Sequence, residues 1–185
     1  MQVKNVCVYC GANDNVKKSF RQIAVMTGQE FANNNLRLVY GGAQVGLMGL
    51  LADSVLANNG QVIGVIPDFL SDLEITHTGV TELIRTKSMH ERKVTMAERA
   101  DAFVVLPGGL GTLEETFEIL TWKQLGLHNK PIIILNTEGF WDHLIVLIEH
   151  LVNENFAREE NLTLFTVVNT VDEILNVLNV ANETA

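Results

Sequence analysis

Apolar runs of about five residues alternate with longer stretches of helical period from one end of the chain to the other. That is the pattern of a layered α/β domain built on a mostly parallel sheet. The short runs predict strands at residues 5–9, 36–40, 61–66, 83–86, 102–106, 131–135 and 164–168, with helices in most of the intervals. The expected architecture is therefore a Rossmann-like, doubly wound α/β fold: a parallel sheet of about seven strands with helices on both faces. Residues 67–80 break the rhythm, carrying Asp68, Asp72, Glu74 and His77 on a weak helical pattern, and read as a lid or a partner contact. No repeat, low-complexity tract or linker divides the 185 residues, so one domain, 1–185, is expected, with residues 179–185 fraying at its end.

Composition narrows the class of partner. Hydrophobic residues make up 47% and charged residues 19%, which excludes a disordered chain, and no apolar run approaches the ~20 residues of a membrane span. The opening residues run straight into a strand pattern without the basic, apolar and small-residue succession of a secretory leader, so the cytoplasm is the expected location. A net charge of -9 without a Lys/Arg cluster argues against nucleic acid. It leaves room for a small anionic ligand, since one or two buried basic residues suffice for one phosphate. The two cysteines, Cys7 and Cys10, have C-x-x-C spacing, but Cys7 falls inside a predicted strand and not at a helix start, so two plain thiols are expected.

Candidate chemistry gathers at the glycine turns. After the strand at 102–106 comes Pro107-Gly108-Gly109-Leu110-Gly111-Thr112 and then a helical pattern with Leu113, Phe117 and Leu120. A strand, glycine turn and helix in succession aim free backbone N–H groups and the helix dipole at one spot, which a phosphate fits. The dinucleotide pattern G-x-G-x-x-G fails at Glu114, and the P-loop lysine is missing. An earlier turn, Gly41-Gly42-Ala43-Gln44-Val45-Gly46, reads equally as ligand contact or as close helix packing. Thr112-x-x-Glu115 has capping-box spacing, yet three carboxylates, Glu114, Glu115 and Glu118, beside a phosphate demand a further role for at least one. Glu115 shares a helical face with Ile119 and Trp122, whose apolar surface would limit its hydration and raise its pKa. Capping and catalysis both remain open on these residues.

A second helix is marked by Ser88-Met89-His90-Glu91, also a capping box. Met89, Arg92, Lys93 and Met96 then stand at i, i+3, i+4 and i+7, which turns Arg92 and Lys93 inward with two methionines. An inward arginine requires an anion, either a substrate or a structural carboxylate.

Together, Pro107-Gly-Gly-Leu-Gly-Thr-Leu-Glu-Glu115 and Met89-His-Glu-Arg-Lys93 resemble the paired signature of the Lonely Guy (LOG) family of cytokinin riboside 5'-monophosphate phosphoribohydrolases. The segments Tyr40 to Gly49, Val62 to Pro67, Thr121 to Gly126 and Lys130-Pro131 resemble it too, in the same order, so coverage runs from about residue 5 to 178. The resemblance implies hydrolysis of adenosine monophosphate (AMP), plain or N6-substituted, to a free base and ribose 5-phosphate, with no metal or organic cofactor and as a homodimer. It implies Arg92 and Glu115 as the catalytic pair, and Met89, Lys93, Gly108, Gly109, Gly111, Thr112, Gly11 and Gly42 as substrate contacts. Ala12, Asn13 and Ala43 depart from the family pattern, which bears on substrate preference and not on reaction type. A nucleotide-sensing module of the same fold is the alternative, and a carboxylate at the sugar is what separates the two. Proteins of this kind have also carried the label lysine decarboxylase, but no lysine here stands out as a pyridoxal phosphate anchor.

Overall fold

The computed structural model describes residues 2–71 and 76–178. Among the described residues there are seven strands: β1 (Asn5–Tyr9), β2 (Arg37–Tyr40), β3 (Val62–Pro67), β4 (Glu82–Thr86), β5 (Ala102–Val105), β6 (Ile132–Leu135) and β7 (Thr166–Val168). The α-helices among the described residues are α1 (Lys18–Asn33), α2 (Gly46–Ala57), α3 (Met89–Arg99), α4 (Leu110–Gln124), α5 (Asp142–Asn153) and α6 (Val171–Val177). Every expected strand appears, and the largest difference is at the last, which begins at Thr166 because a 3-10 turn over Glu159–Thr163 occupies the chain just before it.

The strands form one parallel sheet in the order β4-β3-β2-β1-β5-β6-β7. Side chains alternate across it. Val6, Val8, Leu38 and Val104 face a core closed by α1, α2 and α6, while Cys7, Tyr9, Val39 and Val105 face a second core closed by α3, α4 and α5. Burial on both faces is why the central strands read as unbroken apolar runs, such as Ile132–Leu135 with all four residues buried. The doubly wound fold is thus as expected from the pattern.

This order also decides where a ligand can enter. From β1 the chain winds outward through β2, β3 and β4, then returns to β5 and winds outward on the other side. The loops leaving the carboxyl ends of β1 and β5 diverge, and a crevice opens between them. It is held in shape by backbone bonds: Gly11 N donates to Pro107 O at 3.1 Å, and Leu47 N donates to Gly11 O at 2.9 Å.

Residues 67–80 form a 3-10 turn over Asp68–Leu70, and the connection is anchored again at 76–79. Thr76 bridges to Ala43, and His77 N donates to Gly42 O at 2.9 Å. The buried His77 ring accepts from Gly79 N at Nδ1 (3.1 Å), which leaves the proton on Nε2 to be donated to Asp53 Oδ1 at 2.9 Å. At 76–79 the segment is a fastened connection and not a free lid. Asp72, Glu74 and the tail 179–185 lie outside the described residues. Among the described residues no helix is long and apolar enough to cross a membrane.

Candidate active site

Helix α3 brings two cations indoors. Ser88 accepts from Glu91 N at 3.1 Å and Glu91 Oε2 accepts from Lys87 N at 2.7 Å, a reciprocal cap that fixes the register. That register buries Arg92 and Lys93, each 6% exposed, alongside Met96. Arg92 Nε donates to Val65 O and Nη2 to Gly41 O, both at 3.1 Å. Nη1 faces Met89 Sδ at 3.8 Å and Glu115 Oε1 at 3.9 Å. The guanidinium therefore sits in a socket of backbone carbonyls, with one nitrogen left for the cleft. A Cβ on Gly41 would overlap Nη2, so the socket exists only because that position is glycine.

Helix α4 begins at Leu110 with Gly109 as its cap residue and no side-chain cap. The Thr112-x-x-Glu115 capping box is accordingly corrected: the helix starts two residues before Thr112, and Thr112 lies in the first turn with its side chain packed over Gly108. Gly108 has no room for a Cβ there. By helix geometry, the N–H groups of Leu110, Gly111 and Thr112 lack carbonyl partners within the helix and project from its end. Gly109 and Gly111 have open space where side chains would stand. The result is an uncovered, partly positive helix end at the mouth of the crevice.

The three carboxylates divide. Glu114 and Glu118, one turn apart, both engage Lys93, the latter at 3.0 Å. Glu115 turns the other way, toward Arg92, and its side chain is 13% exposed. Burial pushes its carboxyl up to about 7, against the pull of Arg92 and Lys93 and with the push of Glu114 and Glu118. At 3.9 Å the contact with Arg92 is an ion pair too long for a hydrogen bond, so both groups keep hydrogen-bonding capacity toward the cleft.

The cleft has a volume of about 900 Å³, and its lining includes Gly11, Arg92, Gly108, Gly109, Gly111, Thr112 and Glu115. It is large enough for a nucleoside monophosphate. Residues 48–178 match the family model described as "Possible lysine decarboxylase". Over 154 residues the chain is 50% identical to a cytokinin riboside 5'-monophosphate phosphoribohydrolase of Rhodococcoides fascians, covering 83% of this chain and 78% of that protein. With the enzyme of the same name from Oryza sativa subsp. japonica it shares 43% identity over 172 residues, 93% of this chain and 71% of the other. The chain belongs to the LOG family. The fold has a wider distribution: a molybdenum cofactor binding protein from Rippkaea orientalis superposes with a TM-score of 0.72 over 97% of each chain at 20% identity.

Of the residues that the LOG resemblance singles out, Gly42, Met89 and Lys93 are not among those lining the cleft. Gly42 faces Val65 and Ile66 at a φ of 78°, Met89 abuts Arg92, and Lys93 is occupied by Glu114 and Glu118. The cleft also draws on residues the sequence did not single out: Asp14, Asn15 and Lys17 of the loop after β1, Phe20 of α1, Met48 of α2 and Phe140. Phe20 and Phe140 meet edge to face at 5.3 Å. Asp14 Oδ1 accepts from Gly46 N at 3.0 Å, tying that loop to the start of α2. Only their meeting in space gives these residues meaning, although the loop's position after the central strand was a usable signal.

The family model's description raises decarboxylation through pyridoxal phosphate, which requires a desolvated lysine in the cleft. Lys17 is the lysine in the lining; its side chain is 73% exposed and paired with Glu138 at 3.4 Å, so it does not fit that role. Cys7 and Cys10 are free, buried thiols pushed up by burial, which keeps them protonated at neutral pH, and Cys10 also lines the cleft. Among the described residues no three His, Cys, Asp or Glu side chains converge to hold a metal.

The raised Glu115 carboxyl has a consequence for stability. Between its ordinary value of 4.5 and about 7 the folded chain holds more protons than the unfolded one, so this group's contribution falls as pH rises through that window. Urea unfolding at about pH 5 and about pH 7.5 should show Glu115→Gln losing less stability between the two than the parent. Equal losses in the two proteins would mean that Glu115 titrates as an ordinary surface carboxyl.

Proposed function

We infer that this chain hydrolyses the N-glycosidic bond of adenosine 5'-monophosphates, plain or N6-substituted, releasing an adenine-type base and ribose 5-phosphate. Relatives sharing 38–50% identity carry the name cytokinin riboside 5'-monophosphate phosphoribohydrolase, which supports the reading. The observation that carries the reading at the level of chemistry is a buried arginine facing a largely buried carboxylate beside an uncovered helix N-terminus in one cleft.

The reaction breaks the bond from ribose C1' to the purine nitrogen. The electron pair leaves with the base, and a water oxygen forms the new bond to C1'. Positive charge gathers on the sugar as negative charge gathers on the base. In our assignment the N–H groups at the start of α4, framed by Gly108, Gly109, Gly111 and Thr112 and backed by Gly11, hold the 5'-phosphate. Fixing that remote anion sets the position of C1'. Glu115, when ionised, stabilises the cationic sugar and orients the water. A guanidinium does not readily give up its proton, so Arg92 acts by charge and hydrogen bonding on the departing base or the phosphate. A pure sensor would have no use for a largely buried carboxylate facing an arginine in the cleft.

We also propose a homodimer acting in the cytoplasm. Leu110 and Phe117, seven residues apart on α4, are exposed together with Leu125 and Leu127 just beyond its end, an apolar strip suited to a second copy. The two buried reduced thiols suit a reducing compartment.

Glu115→Gln is expected to lower kcat for AMP by about 10³-fold or more with KM changed less than about threefold. Near-normal kcat would remove Glu115 from the chemistry. Gly41→Ala, which pushes the Arg92 guanidinium out of its socket, is expected to cost about 10²-fold in kcat/KM. Steady-state kinetics that leave this variant unimpaired would show that the socket is not needed for turnover.

A further inference from the structure

Lys93 is as deeply buried as Arg92, yet Arg92 and Glu115 line the cleft and Lys93 does not. Its ammonium turns to another side of α4, where it bonds Glu114 Oε1 and lies 3.0 Å from Glu118 Oε1. Glu114 and Glu118 are one turn apart, so both carboxylates close on the same ammonium. Glu115 is offset by about 100° around the helix axis and points to Arg92 instead.

We propose that Lys93 is a positioning residue that acts through Glu115: by taking up the charge of Glu114 and Glu118 on the neighbouring helix it shields Glu115 from two acidic neighbours. The role assigned to Glu115 is that of the hydrolase reading above, on which this inference rests. The charges facing Glu115 are few. Arg92 and Lys93 come from α3, and Glu114 and Glu118 from α4. Cys7, Tyr9 and Cys10 come from β1 and its loop, and burial pushes all three up, so they are neutral near pH 7. Burial pulls the Lys93 ammonium down, but its hydrogen bonds to Glu114 and Glu118 outweigh that and raise it, so it keeps its charge. Beyond burial, which raises Glu115, the two cations lower its carboxyl and the two neighbouring carboxylates raise it. Removing Lys93 alone must move Glu115 further up, whereas removing Lys93, Glu114 and Glu118 together also takes away the two carboxylates that raise it, of which Glu114 outweighs Lys93.

Two readouts test this in the full chain. In Lys93→Met, the Glu115 carboxyl, followed by carbon-13 NMR titration, is expected to move up by about one pH unit. The acid limb of kcat for AMP is expected to follow, and KM to change less than about threefold. The triple variant Lys93→Met/Glu114→Gln/Glu118→Gln is expected to bring the titration back down to that of the parent or below it, and Lys93→Arg, which keeps the charge, to leave it in place. An unmoved titration in Lys93→Met would overturn the proposal, as would a shift in Lys93→Arg or a triple variant that titrates as high as Lys93→Met. A KM rise of about tenfold or more would instead make Lys93 a direct ligand of the substrate phosphate. The titration needs no turnover, so a parent protein that released no base from AMP would count against the hydrolase reading and leave this test standing.

Discussion

A buried guanidinium has to be bonded on every side it presents, and that constraint at Arg92 organises the site. Its donors take the carbonyls of Gly41 and Val65, which ties α3 to the carboxyl ends of β2 and β3. Its remaining nitrogen faces Glu115 across the cleft. Removing one member of a buried ionic contact costs about 3–5 kcal/mol, while the intact pair adds little net stability. The arrangement therefore contributes position more than folding energy: it holds a cation and a carboxylate a few ångströms apart in a place from which water is largely removed.

The sheet supplies the rest of that geometry. Because the winding reverses between β1 and β5, the loops after those strands meet at the crevice, and both are rich in glycine or short polar residues. One of them leads directly into α4, so the helix end that can receive a phosphate and the helix face that carries Glu115 move as one body. Glu115 stands about one turn beyond the uncovered N–H groups, and 1.5 Å per residue makes that roughly 6 Å along the helix, on the order of a ribose length. In the proposed assignment the same helix sets the distance between phosphate and sugar.

Much of this was legible in the residues. Buried parallel strands declare themselves as continuous apolar runs, and the Ser88 cap fixed α3 well enough to turn Arg92 and Lys93 inward. The start of α4 was misread because an uncapped helix beginning at Gly109-Leu110 offers no side-chain signal, whereas Thr112 and Glu115 imitate one at the usual spacing. The partners of Lys93 were hidden for a related reason: which of three adjacent carboxylates meets it depends on how two helices are rotated against each other. Asp14, Phe20 and Phe140 come from separate elements, and no local pattern joins them.

The central claim is that the helix end and the Arg92–Glu115 pair act together on a nucleotide and not on a nucleoside. Incubating the protein with AMP, N6-isopentenyl AMP and adenosine, then separating the products by chromatography, tests it directly. The account expects free base and ribose 5-phosphate from the nucleotides, with adenosine left essentially intact. It would be contradicted by the absence of free base from either nucleotide, or by adenosine being cleaved as readily as AMP.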